Sequence, residues 1–132
     1  MIYLDANIFI YSLINDDKLG DKSRKILTKI PKRETNGFTS ILTWDEVVYV
    51  LRKIIGIDKS IDEGNKLLNF PNLIFLDSNK KTIEKAQKIM EKYKIKPRDD
   101  IHIATALTNN IDKILSDDKD FDGIREIQRE GL

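Results

Sequence analysis

Short runs of consecutive apolar residues alternate along the chain with longer stretches in which apolar positions recur every three or four residues. The first run, Ile2 to Asp5, reads as a buried strand and leads into a helix that starts near Asn7. A second helix spans about Asp21 to Ile30, with Ile26, Leu27 and Ile30 on one side, and Gly37 to Ser40 is a short strand. Thr43 opens a helix whose apolar stripe is Val47, Val48, Leu51, Ile54 and Ile55, and Gly56 ends it. Ser60 and Glu63 have the spacing of a capping box for the next helix, which stops before Pro71. Leu73 to Leu76 is the clearest strand, and a helix from Asn79 to about Tyr93 follows it. Pro97 suits the first helical position of a segment reaching Asn109, then Ile111 to Leu115 forms a buried strand and Ile124 to Ile127 a short edge strand. Continuous apolar strands separated by helices predict a mostly parallel central sheet covered on both faces, a three-layer α/β/α sandwich.

Composition narrows what such a domain can do. A chain of 132 residues is long enough to bury a core of its own, and the absence of a Pro/Gly/Ser-rich divider or a repeat predicts one domain over 1–132. With 23 Lys plus Arg against 22 Asp plus Glu, no global field draws the molecule to nucleic acid or membrane, so any such partner needs a local patch. No secretory leader and no membrane-length apolar run are read in the sequence, which predicts a cytoplasmic protein without a membrane partner. The lack of cysteine removes disulfides, thiolate metal sites and thiol nucleophiles, and a single histidine removes multi-histidine metal sites. Oxygen ligands remain.

In an open α/β sheet, ligands bind beyond the carboxyl ends of the strands. Four acids fall at such places: Asp5 after the first strand, Glu46 early in the helix after the second, Asp99 opening the helix before the fourth, and Asp118 after the fourth. Two carboxylates at 4 Å repel by about 4 kcal/mol at an effective dielectric near 20, and a divalent cation is the natural compensator. Hard oxygen ligands favour Mg²⁺ or Mn²⁺, which suits phosphoryl chemistry. Each acid also has a plain structural explanation. Asp5 could end a strand, although a carboxylate among apolar residues is poor economy for a turn. Glu46 completes a capping box with Thr43, and Asp99 favours the helix dipole, with Asp100 an equal competitor by periodicity. Asp118 lies in a polar run that reads in isolation as a solvated turn.

Taken together, the segments Ile2-Tyr-Leu-Asp-Ala-Asn-Ile-Phe-Ile-Tyr11, Thr39-Ser-Ile-Leu-Thr-Trp-Asp-Glu46, Pro97-Arg-Asp-Asp-Ile-His-Ile-Ala-Thr-Ala106 and Ile114-Leu-Ser-Asp-Asp-Lys-Asp-Phe121 resemble the four motifs of the PIN-domain ribonucleases, and among them the VapC-type toxins of toxin-antitoxin pairs. The resemblance runs the length of the chain, in motif order and at motif spacing. It selects Asp99 over Asp100, a position usually small and apolar, and it gives Asp118 the fourth acidic place with Asp120 beside it as an alternative. Asn7 and Ser116 match supporting polar positions, which helix capping would explain equally. The resemblance implies an endoribonuclease holding one or two Mg²⁺ or Mn²⁺ ions among Asp5, Glu46, Asp99 and Asp118, cutting RNA to leave a 5′-phosphate and a 3′-hydroxyl. It further implies a partner antitoxin that presents a basic side chain to the acidic site, and a homodimer, for which the helix Ile8 to Ile14 and the Val47 to Ile55 helix offer a face.

Other features read as structural. His102, one turn after Asp99, is taken as a packing or partner residue outside catalysis. Lys81, Lys85, Lys88 and Lys92 alternate with Glu84 and Glu91 and form a solvated face. Asp77 and Ser78 cap the following helix, and Trp44 packs half-buried or at a dimer face. Two alternatives to the nuclease are a non-catalytic RNA-binding or assembly module of the same fold and a receiver-like phosphoacceptor domain using Asp77. The single acid after the first strand counts against the latter, because receivers need an acidic pair there.

Overall fold

A computed structural model describes residues 1–132. Five parallel strands, β1 (Ile2–Leu4), β2 (Gly37–Ser40), β3 (Ile74–Leu76), β4 (Lys113–Leu115) and β5 (Gln128–Glu130), form one sheet in the order β3-β2-β1-β4-β5. Six helices cover it: α1 (Ala6–Ile14), α2 (Lys18–Leu27), α3 (Ile41–Ile55), α4 (Ile57–Leu68), α5 (Lys80–Tyr93) and α6 (Asp99–Thr108). This is the three-layer α/β/α sandwich expected from the pattern, and its sheet is parallel throughout.

The layering follows from strand alternation. In β1, Tyr3 joins one core with Ala86, Ile89 and Ile103 of α5 and α6, while Leu4 joins the other with Ile8, Leu27 and Val47 of α1, α2 and α3. In β4, Ile114 and Leu115 divide between the same two cores. The chain moves outward from β1 through β2 to β3, then crosses to β4 on the other side of β1. Right-handed crossovers in opposite directions put the intervening helices on opposite faces, and the crevice at the reversal lies between β1 and β4. No helix is long and apolar enough to cross a membrane.

Several local expectations are corrected. The helix expected from Asp21 begins at Lys18, capped by the Asp17 side chain, and ends at Leu27. α3 follows β2 without a loop and starts at Ile41, so Thr43 lies inside the helix and its Oγ1 accepts from Thr39 Oγ1 at 2.7 Å. The Thr43–Glu46 capping box is therefore not formed, and Glu46 is free for other contacts. Gly56, at φ 89°, is the single residue joining α3 to α4, a backbone region that glycine enters without penalty. α4 starts at Ile57, which places Ser60 inside it with Oγ donating to the Ile57 carbonyl, and no capping box with Glu63 exists. The cap of α5 is Asn79, in a reciprocal box with Thr82, while Ser78 turns to Thr105 at 3.2 Å. α6 starts at Asp99, two residues after Pro97, with Arg98 at φ 79° before it. Ile124 and Ile127 are buried core plugs ahead of β5.

Candidate active site

The acidic residues gather at the carboxyl edge of the sheet, beside the β1–β4 crevice. Asp5 ends β1 and caps α1, its Oδ1 accepting from the Ala6 amide at 2.7 Å. Its Oδ2 accepts from Ser116 Oγ at 2.6 Å and from Asn7 Nδ2 at 3.2 Å. Asn7 Nδ2 also donates to Ser116 Oγ at 3.1 Å, and the Asp118 amide donates to the same oxygen at 3.0 Å. Asn7 in the first turn of α1 and Ser116 just after β4 thus clamp Asp5 between them, Ser116 reaching across the crevice. Asp5 is buried, which pushes its carboxyl pKa up, with Glu46 adding to the rise and His102, Ser116 and Ala6 opposing it.

The remaining acids come from other elements. Glu46, in the second turn of α3, places Oε1 2.7 Å from His102 Nε2. Asp99 stands in the first turn of α6, and Asp118 caps the 3-10 turn Lys119–Gly123 by accepting from the Asp120 amide at 2.9 Å. The ligand atoms fall into two trios, Asp5–Glu46–His102 and Asp99–Asp118–Asp120, each within 4.8 Å internally. Electrostatics joins the trios. Asp99 is half-buried, and its carboxyl is pushed up to about 6 by desolvation first and then by the charges of Asp118, Asp5 and Glu46. Asp120 is exposed and lies 3.5 Å from Lys96. Asp100 is in neither trio: it is buried, its Oδ1 accepts from the Ile101 amide at 2.9 Å, and burial raises its pKa.

The residue passed over by sequence reasoning is His102. Its ring is fully buried, with Nε2 facing Glu46 and lying 3.7 Å from Asp5 Oδ1, and Nδ1 2.6 Å from the Tyr3 hydroxyl. Burial alone depresses an imidazolium, but Tyr3, Glu46 and Asp5 outweigh it and hold His102 above its ordinary range. The usable signal was its place three residues after Asp99, on the helical side that faces the same crevice.

Such an arrangement suits a hard cation. The acidic donors are oxygen only, they raise one another's cost of ionisation, and no Lys or Arg is paired with Asp5, Glu46, Asp99 or Asp118. Asp5, Glu46, Asp99 and Asp118 are the residues that could hold Mg²⁺ or Mn²⁺, with Asp120 at the margin.

Comparison with known proteins gives the same direction. Ribonuclease VapC2 of Methanocaldococcus jannaschii is 28% identical, over 91% of this chain and 86% of the relative. The Mycobacterium tuberculosis toxin VapC20, which cleaves the sarcin-ricin loop, superposes with a TM-score of 0.79 at 13% identity, covering 95% of each chain. VapBC2 of Rickettsia felis, solved bound to a promoter DNA fragment, superposes at 0.74 with 20% identity, covering 99% of this chain and 98% of that one. These superpositions establish the fold. The PIN domain family matches residues 2–127, nearly the whole sequence, and the chain belongs to that family.

Proposed function

We propose that the protein is a metal-dependent endoribonuclease, a single nuclease domain over 1–132 that hydrolyses RNA phosphodiester bonds in the cytoplasm and serves as the toxin of a toxin-antitoxin pair. The observation that supports this reading is the pair of acidic clusters at the carboxyl edge of the sheet, Asp5–Glu46–His102 and Asp99–Asp118–Asp120, drawn from separate elements of the chain. Membership of the PIN family and the likeness to ribonuclease VapC2 support the reaction class.

In this reading Asp5, Glu46, Asp99 and Asp118 hold one or two Mg²⁺ or Mn²⁺ ions. A bound ion supplies Lewis acidity that activates water near neutral pH and offsets the charge developing on the phosphate. The chain's own work is to aim the ligands. Asn7 and Ser116 fix the orientation of Asp5, and the Asp118 backbone is tied to the same Ser116 oxygen. Crowding of the acids keeps the site ready for a cation and unfavourable without one.

An antitoxin protein is the proposed partner, since a basic side chain inserted among these acids would satisfy the same charges as the metal. The structural neighbour from Klebsiella pneumoniae is a toxin-antitoxin complex, and the one from Rickettsia felis is VapBC2 bound to promoter DNA. The toxin is further proposed to act as a homodimer.

The test is cleavage of end-labelled RNA by purified wild type, Asp5→Asn and Asp99→Asn, with Mn²⁺ and with EDTA. Wild type with Mn²⁺ is expected to give 5′-phosphate and 3′-hydroxyl ends, and either substitution or EDTA to slow cleavage by about 100-fold or more. Undiminished cleavage by folded Asp5→Asn would remove the assignment. RNA retention without cleavage in every sample would favour the non-catalytic module.

A further inference from the structure

We propose that His102 is a positioning residue of the acidic site, fixing the Glu46 carboxylate through a buried hydrogen-bond line that runs Ser40–Tyr3–His102–Glu46. The proposal rests on the metal-site reading above and assigns a device to it.

The Tyr3 hydroxyl lies 2.8 Å from Ser40 Oγ and 2.6 Å from His102 Nδ1, and His102 Nε2 lies 2.7 Å from Glu46 Oε1. Tyr3, Ser40 and His102 are each fully buried, and the two rings meet edge to face at 5.6 Å between centroids. Every member lies close in sequence to a proposed ligand. Tyr3 is two residues before Asp5 in β1, Ser40 ends β2 six residues before Glu46, and His102 follows Asp99 by three residues in α6. The line therefore ties β1, β2, α3 and α6 together, next to the segments that carry Asp5, Glu46 and Asp99.

Glu46 needs such a tie more than Asp5 does. Asp5 is short and accepts from Ala6, Ser116 and Asn7. Glu46 is longer, is partly exposed, and has His102 as its hydrogen-bond partner. Ordering a free glutamate costs rotamer entropy, which a fixed donor removes before a ligand arrives. The Tyr3 hydroxyl can donate or accept, so Nε2 can carry the proton facing Glu46 whether the ring holds one proton or two. With that proton in place, Nε2 offers no lone pair to a cation, which makes His102 an orienting group and not a ligand.

The experiment measures Mn²⁺ binding to the full-length protein by calorimetry, with circular dichroism and thermal melts to establish folding. Loss of an outer hydrogen-bond partner typically costs 10- to 100-fold in metal affinity, so His102→Leu is expected to weaken Mn²⁺ binding by about tenfold. His102→Gln, whose amide can replace the Nε2 donor, is expected to restore most of it. In a Glu46→Gln background, His102→Leu is expected to have no further effect, because the histidine acts through that carboxylate. Additive losses, unchanged or tighter Mn²⁺ binding by folded His102→Leu, or a His102→Gln as impaired as His102→Leu would each overturn the proposal. Should His102→Leu fail to fold, Tyr3→Phe takes its place, with a few-fold loss expected and the same dependence on Glu46. Wild type that binds Mn²⁺ in an Asp5-dependent way while His102→Leu matches it would refute the positioning role alone. Wild type that binds no Mn²⁺ would take the metal site and the proposal down together.

Discussion

Asp99 sits at the amino end of α6, half-buried, with like charges around it and no hydrogen-bond donor directed at its carboxylate. Its carboxyl ionises near 6 in the folded chain, against 3.8 when unfolded, so between these values the folded state binds the proton that the unfolded state has released. Stability of the metal-free protein must then fall as pH rises through that window. The half-exposed position lets solvent screen part of the effect, which leaves about 1 kcal/mol. Asp99→Asn has no charge to lose, and its stability in EDTA is expected to exceed that of wild type by about that amount above pH ~6.5, with the difference vanishing near pH ~4. Urea unfolding of the two proteins across that range checks it. A substitution that raises stability while abolishing cleavage marks a residue retained for its chemistry. An equal or lower stability of Asp99→Asn at neutral pH would show that burial and the charges of Asp118, Asp5 and Glu46 do not hold the Asp99 carboxyl up.

At the scale of elements, close junctions decide both stability and how much the sequence reveals. The start of α2 packs against the end of α1, where Arg24 Nη1 donates to the carbonyls of Ser12 and Asn15 at 3.0 Å each and so satisfies the helix end. A Cβ on Gly20 would overlap the Asn15 carbonyl oxygen, a backbone atom that cannot swing aside. Gly20→Ala is therefore expected to destabilise by about 2 kcal/mol or more, although alanine is the better helix former, and a thermal melt would read it. The same junctions limit sequence reading. Apolar runs located β1, β3 and β4 and periodicity located the helices, because burial on both faces or on one stripe leaves a clear trace. Ser-x-x-Glu and Thr-x-x-Glu look like caps wherever they occur, and only the loopless junctions β2–α3 and α3–α4 make them helix interior. β5, written Gln-Arg-Glu, carries no apolar signal: it is an edge strand held by backbone pairing to β4, while Ile124 and Ile127 before it fill the core. For the candidate site, position after strands and near helix starts marked Asp5, Glu46, Asp99 and Asp118 as candidates, and the motif resemblance was needed to choose Asp99 over Asp100 and to single out Asp118 from a polar run. The His102 contact was not, since nothing local says that Tyr3, 99 residues away, meets its ring.

Over the whole molecule the charges nearly cancel, with 23 basic and 22 acidic residues, yet the acids of the site stand together with no Lys or Arg paired to Asp5, Glu46, Asp99 or Asp118, and His102 alone faces two of them. A balanced total with a local concentration of one sign stores repulsion in the folded state, where the unfolded chain has none. Any cation that occupies the site relieves that repulsion only in the folded state, so binding and folding are linked. At free Mn²⁺ about 100-fold above its dissociation constant, the linkage is worth roughly 2.7 kcal/mol, or a rise in Tm of roughly 10 °C for a domain of this size. The rise should be steep in Mn²⁺, insensitive to an equal ionic strength of NaCl, and absent in Asp5→Asn. Differential scanning calorimetry under these three conditions separates site binding from general screening. A shift reproduced by NaCl, or preserved in Asp5→Asn, would mean that the four acids do not act as one site.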